Sequence, residues 1–134
     1  MARTDVDERD LLLDTHALLW WAAGDRALSR KVARFLEDHE VTIYASAATA
    51  WEIATKVRLG KVKWTSPDSV ETYCLEQGFT LMPVTFAQAQ RAGSWPQAHG
   101  DPFDRLLAAQ SDLENIPLAT NDPKIKTFGI RTIW

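Results

Sequence analysis

The sequence predicts an α/β fold in which helices cover both faces of a parallel sheet. Short apolar or β-branched segments alternate along the chain with segments that carry apolar residues at helical spacing. The first of these segments, residues 11–13, is apolar at every position, which is typical of a strand buried on both faces. No repeat, low-complexity segment or linker interrupts the 134 residues, so we expect one domain over residues 1–134.

Five predicted strands are short runs of apolar, β-branched or aromatic residues. Pro83 lies in the third of them and restricts that strand to an edge or an end, because proline cannot donate a hydrogen bond to a neighbouring strand. In chain order, the predicted strands are residues 11–13, 41–45, 79–84, 116–120 and 131–134.

The predicted helices begin at residues that cap helices, and several end at glycine. Gly24, Gly60 and Gly78 stop the first, third and fourth helices, and Pro67 is expected at the first position of the fourth. Residues 1–9 are polar and are expected to form a flexible arm. In chain order, the predicted helices are residues 15–23, 29–40, 47–59, 66–77, 85–92 and one that starts at 101. Residues 93–100 are predicted to form a loop, and a turn at 121–123 starts a short helical piece.

Composition narrows the classes of function. The formal net charge is −3, whereas a protein that mainly coats nucleic acid is usually basic. Cys74 is the single cysteine, so no internal disulfide forms, which fits a reducing compartment. The polar start is not a secretory signal, and no apolar run approaches the roughly 18 residues of a membrane span. We therefore expect a cytoplasmic protein with no membrane segment.

Four acidic residues follow strands or open helices: Asp14, Glu52, Asp104 and Asp122. In a right-handed α/β fold, strand ends and the helix starts that follow them lie at the same edge of the sheet. We therefore expect these carboxylates to converge. Unpaired carboxylates repel one another unless a cation joins them, and Mg²⁺ and Mn²⁺ prefer oxygen ligands. This placement indicates metal-assisted phosphoryl chemistry.

Each acid also has an ordinary explanation. Glu52 and Lys56 are spaced as a helical ion pair, and Asp14 is a typical N-cap. Asp101 before Pro102 is also a typical N-cap, and Asp104, three residues later, suits the positive end of the helix dipole. Asp122 precedes a proline, as turn and cap residues do. The functional prediction therefore rests on the joint placement of the acids.

Other polar residues near the same edge are weaker candidates. Those predicted to bind waters or phosphates around the acids are Thr15, Ser46, Asp101, Thr120 and Asn121. Those predicted to contact the phosphates of a substrate are Arg105, Lys56, Arg58 and Lys61, although a charge run is commonly a solvated face. Arg105 is alternatively a partner of Asp104 or Asp101. The three histidines are too scattered for a zinc signature, and no glycine-rich phosphate-binding loop is present.

Four segments in order resemble the PIN-domain family, and more narrowly the VapC-type toxins of bacterial type II toxin–antitoxin pairs. They are LLLDTHALLWW, SAATAWEIATKVRLGK, HGDPFDRLLAAQ and PLATND. The resemblance implies a three-layer α/β/α sandwich with a central, mainly parallel sheet. It also implies an endoribonuclease that depends on Mg²⁺ or Mn²⁺ and hydrolyses RNA phosphodiester bonds through a metal-activated water.

The resemblance also implies roles for individual residues. Asp14 and Asp104 would be metal ligands, Glu52 the second catalytic acid and Asp122 the fourth, while Asp101 is expected to act as a cap or in the outer shell of the site. A small cognate antitoxin would inhibit the protein, and a homodimer or a toxin–antitoxin hetero-oligomer is expected.

Three alternatives remain at this point. A haloacid dehalogenase phosphatase needs a second aspartate two residues after the first, where this chain has His16. A receiver domain of a signalling pair needs another acid beside the first-strand aspartate, but Leu13 and Thr15 flank Asp14. A catalytically degenerate PIN-like module would only bind RNA or a protein partner.

Overall fold

Five parallel strands form the centre of the computed structural model, which describes residues 8–134. The strands are β1 (Asp10–Leu13), β2 (Thr42–Ser46), β3 (Thr80–Met82), β4 (Leu118–Ala119) and β5 (Thr132–Ile133). Their order across the sheet is β3-β2-β1-β4-β5, and every neighbouring pair is parallel. β1 is therefore the central strand, and the chain builds outward from it on both sides. The carboxyl end of such a strand is where ligands bind in open α/β sheets.

Helices follow the strands and cover the sheet. They are α1 (Thr15–Ala23), α2 (Arg30–Glu37), α3 (Ala47–Arg58), α4 (Val70–Glu76), α5 (Phe86–Ser94), α6 (Pro102–Glu114) and α7 (Pro123–Lys126). No helix within residues 8–134 is long and apolar enough to cross a membrane.

Alternating side chains of β1 divide the core between the two faces of the sheet. Leu11 and Leu13 pack in a cluster with Leu18 of α1 and Ile53 of α3. Leu12 lies in a second cluster that includes Leu107 of α6. All three leucines are at most 1% exposed, so apolar burial on both faces stabilises the strand. The predicted three-layer α/β/α sandwich is confirmed, with a sheet that is parallel throughout.

The fourth helix begins later than predicted, at Val70 instead of residue 66. The Ser66 hydroxyl accepts the backbone N–H of Asp68, and the Trp64 indole donates to the Asp68 carbonyl. These bonds close a turn in place of a helical start, and Ser69 then caps α4. The position predicted for Pro67 was therefore wrong.

Other boundaries differ by a few residues. α2 ends at Glu37 because the Asp38 side chain accepts the N–H of Glu40 and closes a turn. α5 continues to Ser94, two residues beyond its predicted end. Residues 1–7 of the predicted arm lie outside the described residues. Arg9, at its end, accepts the backbone N–H of Thr42 and so belongs with the sheet.

Two exposed glycines offer a test of the helix boundaries. Gly24 ends α1 in the left-handed conformation (φ 64°), and an added Cβ would meet no atom within 4 Å, so Gly24→Ala introduces backbone strain alone. We expect a loss of about 1 kcal/mol in the free energy of unfolding. Gly93 lies inside α5, where Gly93→Ala should gain about 0.5–1 kcal/mol. Urea unfolding of both variants measures this contrast, and equal effects would contradict the boundaries.

Candidate active site

The acids predicted to converge line one cleft of about 300 Å³ at the carboxyl edge of the sheet. Its walls come from the ends of β1 and β4, the second turn of α3, the loop before α6 and the first turn of α6. The lining residues are Asp14, Thr15, His16, Glu52, Lys56, His99, Asp101, Asp104, Asp122, Lys124 and Ile125.

Asp14 is a buried carboxylate at the end of β1, with 6% of its surface exposed. It caps α1, because its Oδ1 accepts the backbone N–H of Ala17 at 2.7 Å. The hydroxyl of Thr120, at the end of β4, also donates to it. Burial nevertheless raises the pKa of Asp14 to about 6, and the charge of Asp104 acts in the same direction. Burial therefore disfavours the ionised form of Asp14, and a nearby cation would stabilise it.

Glu52 is almost completely buried on α3, at 3% exposure, and both of its oxygens have partners. Oε1 accepts the Thr15 hydroxyl at 2.5 Å, and Oε2 accepts the Lys56 ammonium at 2.5 Å. Thr15 follows Asp14 directly, so this bond ties the second acid to the turn that carries the first. The lysine neutralises the charge that burial would otherwise disfavour.

Asp104 lies in the first turn of α6. It contacts a histidine that was not among the site residues predicted from the sequence. His99 Nε2 lies 2.8 Å from Asp104 Oδ2. Burial raises the pKa of Asp104, the His99 hydrogen bond opposes this shift, and the charges of Asp101 and Glu52 raise the pKa further. Asp101 caps α6 by accepting the backbone N–H of Asp104 at 3.0 Å. The prediction that Asp101 acts as a cap agrees with this geometry.

Asp122 closes the cleft from the side of β4. It caps the short helix α7 by accepting the N–H of Lys124 at 2.9 Å, and its own N–H donates to the Thr120 hydroxyl at 3.1 Å. Thr120 is fully buried and bonds both Asp14 and the Asp122 backbone. It therefore couples the first and the fourth acid.

Arg105 does not contact any of the acids, although the sequence suggested Asp104 or Asp101 as its partner. Its guanidinium donates to one backbone carbonyl near the end of α5, that of Ala92 at 2.7 Å, and to three in the loop before α6, those of Gln97 at 2.7 Å, His99 at 2.6 Å and Trp95. The pairing with either aspartate was wrong. The structure also does not favour the predicted phosphate contact, because the donors of Arg105 already hold this loop.

Several predicted residues lie outside the cleft. Ser46 caps α3 and lines a separate, apolar cavity of about 280 Å³ next to Met82 and Cys74. Asn121 is exposed and does not line the cleft, and Arg58 and Lys61 are exposed beyond it at the end of α3. The structure therefore brings together the four acids, Thr15, Asp101, Thr120 and Lys56, but not these four residues.

Besides the apolar Ile125, three residues that line the cleft were not among the site residues predicted from the sequence. His16 stacks on Trp20 with ring centroids 5.4 Å apart, and His99 contacts Asp104. Lys124 is exposed on the rim of the cleft, and in the described part of the chain its ammonium forms no ion pair. The position of His99 within the segment HGDPFD was the available signal for that residue, whereas nothing in the sequence distinguished Lys124.

Comparisons with known proteins place this geometry in a family. The model of the PIN domain matches residues 11–130, which include all four acids. The chain is 25% identical over 118 residues to Ribonuclease VapC22 of Mycobacterium tuberculosis, and the match covers 87% of this chain and 90% of that protein.

Two solved structures share the fold. The structure of VapBC2 from Rickettsia felis bound to a DNA fragment from their promoter superposes with a TM-score of 0.66 at 14% identity, covering 93% of this chain and 97% of that chain. A toxin-antitoxin complex from Klebsiella pneumoniae gives 0.60 at 19% identity, covering 87% and 89%. Because the family model spans nearly the whole described chain and includes every acid of the cleft, the protein belongs to the PIN domain family.

Proposed function

We propose that this protein is a metal-dependent endoribonuclease that acts in the cytoplasm as the toxin of a type II toxin–antitoxin pair. The observation that carries the proposal is the convergence of Asp14, Glu52, Asp104 and Asp122 on one cleft at the end of the central strand. Homology to a protein named as a ribonuclease supports RNA as the substrate.

The chemistry of the cleft fits Mg²⁺ or Mn²⁺. Asp14 and Asp104 supply carboxylate oxygens, and within residues 8–134 neither forms an ion pair with lysine or arginine. No three acidic, histidine or cysteine side chains in the described part of the chain are placed to hold an ion among themselves. Mg²⁺ is commonly bound through one or two carboxylates and several waters, so two protein ligands are sufficient. We assign those ligands as Asp14 and Asp104.

Several residues of the cleft then have a task in phosphodiester hydrolysis. A bound divalent cation would supply the positive charge that activates a water and stabilises the charge on the phosphate. Ala17 and Thr120 fix the carboxylate of Asp14, and His99 fixes that of Asp104. Asp122, on the β4 side, offers oxygen acceptors for a water. Lys124 provides an exposed cation for the phosphate backbone at the rim.

An antitoxin is the protein partner that we propose. The shared fold with the Klebsiella pneumoniae toxin-antitoxin complex supports this class of partner. Either a homodimer or a toxin–antitoxin hetero-oligomer fits the proposal. Membership of the PIN domain family sets aside the phosphatase and receiver-domain alternatives, and the remaining competitor is a degenerate module that binds RNA or protein without cleaving it.

Cleavage of a mixed RNA pool separates the enzyme from the binding module. Wild-type protein should cleave RNA with Mg²⁺ or Mn²⁺ and not with EDTA. Asp14→Asn and Asp104→Asn should each lower the rate by more than about 100-fold, because each replaces a charged carboxylate ligand with a neutral amide, and loss of an outer partner alone costs about 10–100-fold. Asp112→Asn, an exposed position on the same helix as Asp104, should retain activity. Cleavage that survives both ligand variants would contradict the assigned site.

Lys124 provides a test of the substrate path. Lys124→Ala should lower kcat/KM several-fold at low ionic strength and make kcat/KM less dependent on salt, because one phosphate contact is lost. Lys126→Ala is the matched control, since Lys126 is exposed on the same short helix and does not line the cleft. Equal effects of the two substitutions would contradict a specific contact at Lys124.

The raised pKa of Asp14 predicts how stability depends on pH without metal. The folded state binds the Asp14 proton more tightly than the unfolded state, whose pKa is near 3.8. This contribution to stability is therefore complete below pH 3.8 and is lost as pH rises through about 6, at a cost of about 3 kcal/mol.

Urea unfolding in EDTA between pH 4 and pH 7.5 measures this dependence. Asp14→Asn retains a side-chain acceptor for the Ala17 N–H and lacks the ionisation. The free energy of unfolding of Asp14→Asn, relative to that of the wild type, should therefore rise with pH across this range. At saturating Mg²⁺ the wild type should instead be the more stable of the two proteins. Asp25→Asn is the control, because Asp25 is exposed and also accepts a backbone N–H, from Ala27. A gap between wild type and Asp14→Asn that stays constant with pH would contradict the assignment.

A further inference from the structure

We propose that Lys56 is the internal counter-ion of the cleft and that a divalent cation displaces it from Glu52. The inference rests on the proposed function, because it concerns the cation that the same cleft would bind. It gives Lys56 a task other than the phosphate contact predicted from sequence.

The contact between Lys56 and Glu52 is direct, and it lies inside the cleft. Lys56 Nζ lies 2.5 Å from Glu52 Oε2, and both residues line the cleft. The side chain of Glu52 is 4% exposed, whereas that of Lys56 is 28% exposed. A buried carboxylate without a partner is costly, so a cation must compensate Glu52. In the structure Lys56 provides that cation.

The ammonium also faces the acids assigned as ligand and cap. Asp101 and Asp104 both stabilise its charge, in addition to the hydrogen bond with Glu52 that is the largest cause of the raised Lys56 pKa. Lys56 therefore responds to the same carboxylates that a metal ion would join.

A bound divalent cation would change the balance of charges around Lys56. A divalent ion held by Asp14 and Asp104 would add two positive charges to the cleft that Lys56 faces, and like charges at close range repel. The lysine side chain is already partly exposed and has a flexible four-carbon stem, so its ammonium can turn out into solvent once another cation compensates Glu52. Glu52 cannot follow, because Thr15 holds its Oε1. The exchange therefore exposes the Oε2 lone pairs of Glu52 to the cleft only when the metal ion is present.

The inference differs from a permanent structural ion pair in an observable way. A permanent pair would keep the ammonium on Glu52 whether or not metal is bound. An exchangeable pair would make Lys56 a competitor of the metal, so that removal of its charge strengthens metal binding and weakens the metal-free fold.

The ammonium signal of Lys56 in ¹⁵N-edited NMR spectra tests the exchange directly. In EDTA a hydrogen-bonded lysine ammonium should be visible that is absent in Lys56→Met. We expect Mg²⁺ to remove this signal or shift it to the position of a solvated lysine. A signal that stays unchanged at saturating Mg²⁺ would overturn the proposal.

Mn²⁺ affinity, measured by the electron paramagnetic resonance of free Mn²⁺, provides an independent readout. Lys56→Met should bind Mn²⁺ about tenfold more tightly than wild type, because one charge close to a divalent ion is removed. Its melting temperature in EDTA should fall and recover with Mn²⁺. Lys63→Met removes an exposed charge outside the cleft and should leave both properties unchanged.

The outcomes separate the two proposals. Equal Mn²⁺ affinities of Lys56→Met and Lys63→Met would overturn the counter-ion role. Wild-type protein that binds Mn²⁺ while Lys56 remains on Glu52 overturns this inference alone and leaves the proposed ribonuclease standing. Wild-type protein that neither binds Mn²⁺ nor cleaves RNA overturns both.

Discussion

The burial of Asp14 at the end of the central strand is the constraint on which the cleft depends. β1 pairs with a strand on each side and packs against core clusters on both faces. Its carboxyl end is therefore largely shielded from water. Asp14 is needed there as the cap of α1, and its hydrogen bonds with Ala17 and Thr120 fix its position. These bonds only partly offset the loss of hydration, since its pKa remains near 6. The carboxyl group of Asp14 therefore either takes up a proton or needs a cation nearby.

Arg105 holds an irregular segment of the chain next to the acids. The residues between α5 and α6 form no regular structure, so their carbonyls need partners from elsewhere. One guanidinium bonds three of them and a fourth carbonyl near the end of α5, and it also lies 5.6 Å from the ring of Phe128. Because His99 is among the residues held, Arg105 places the imidazole that bonds Asp104. A residue that contacts none of the acids thereby helps to position one of them.

The sequence predicted those features of the fold that depend on neighbours in the chain. Thr85 and Asp101 each accept the backbone N–H three residues later, as their positions before apolar helical patterns indicate. Ser66 shows the limit of such patterns. The pair Ser66-Pro67 is also compatible with a turn, and the hydrogen bond from the Trp64 indole to Asp68 favours the turn over a helix.

The same limit applies to the candidate site. The convergence of the acids could be predicted because parallel topology alone brings strand ends to one edge. The spacing of Glu52 and Lys56 predicted their pairing, but not that the pair lies inside the cleft. That outcome depends on how α3 packs next to α1, where Thr15 meets Glu52. The partners of Arg105 depend on the path of a loop, which no local pattern determines.

The charges of the cleft connect the proposed metal binding with the proposed substrate binding. Five carboxylates line it, against the ammonium groups of Lys56 and Lys124. Lys56 is already bonded to Glu52, so a phosphodiester that approaches the metal-free cleft meets mainly negative charge. The net charge of −3 provides no general attraction for an RNA backbone either. Under the proposed function, RNA would therefore approach productively only after a divalent cation is bound, so the metal would be a condition of substrate binding as well as of the chemistry.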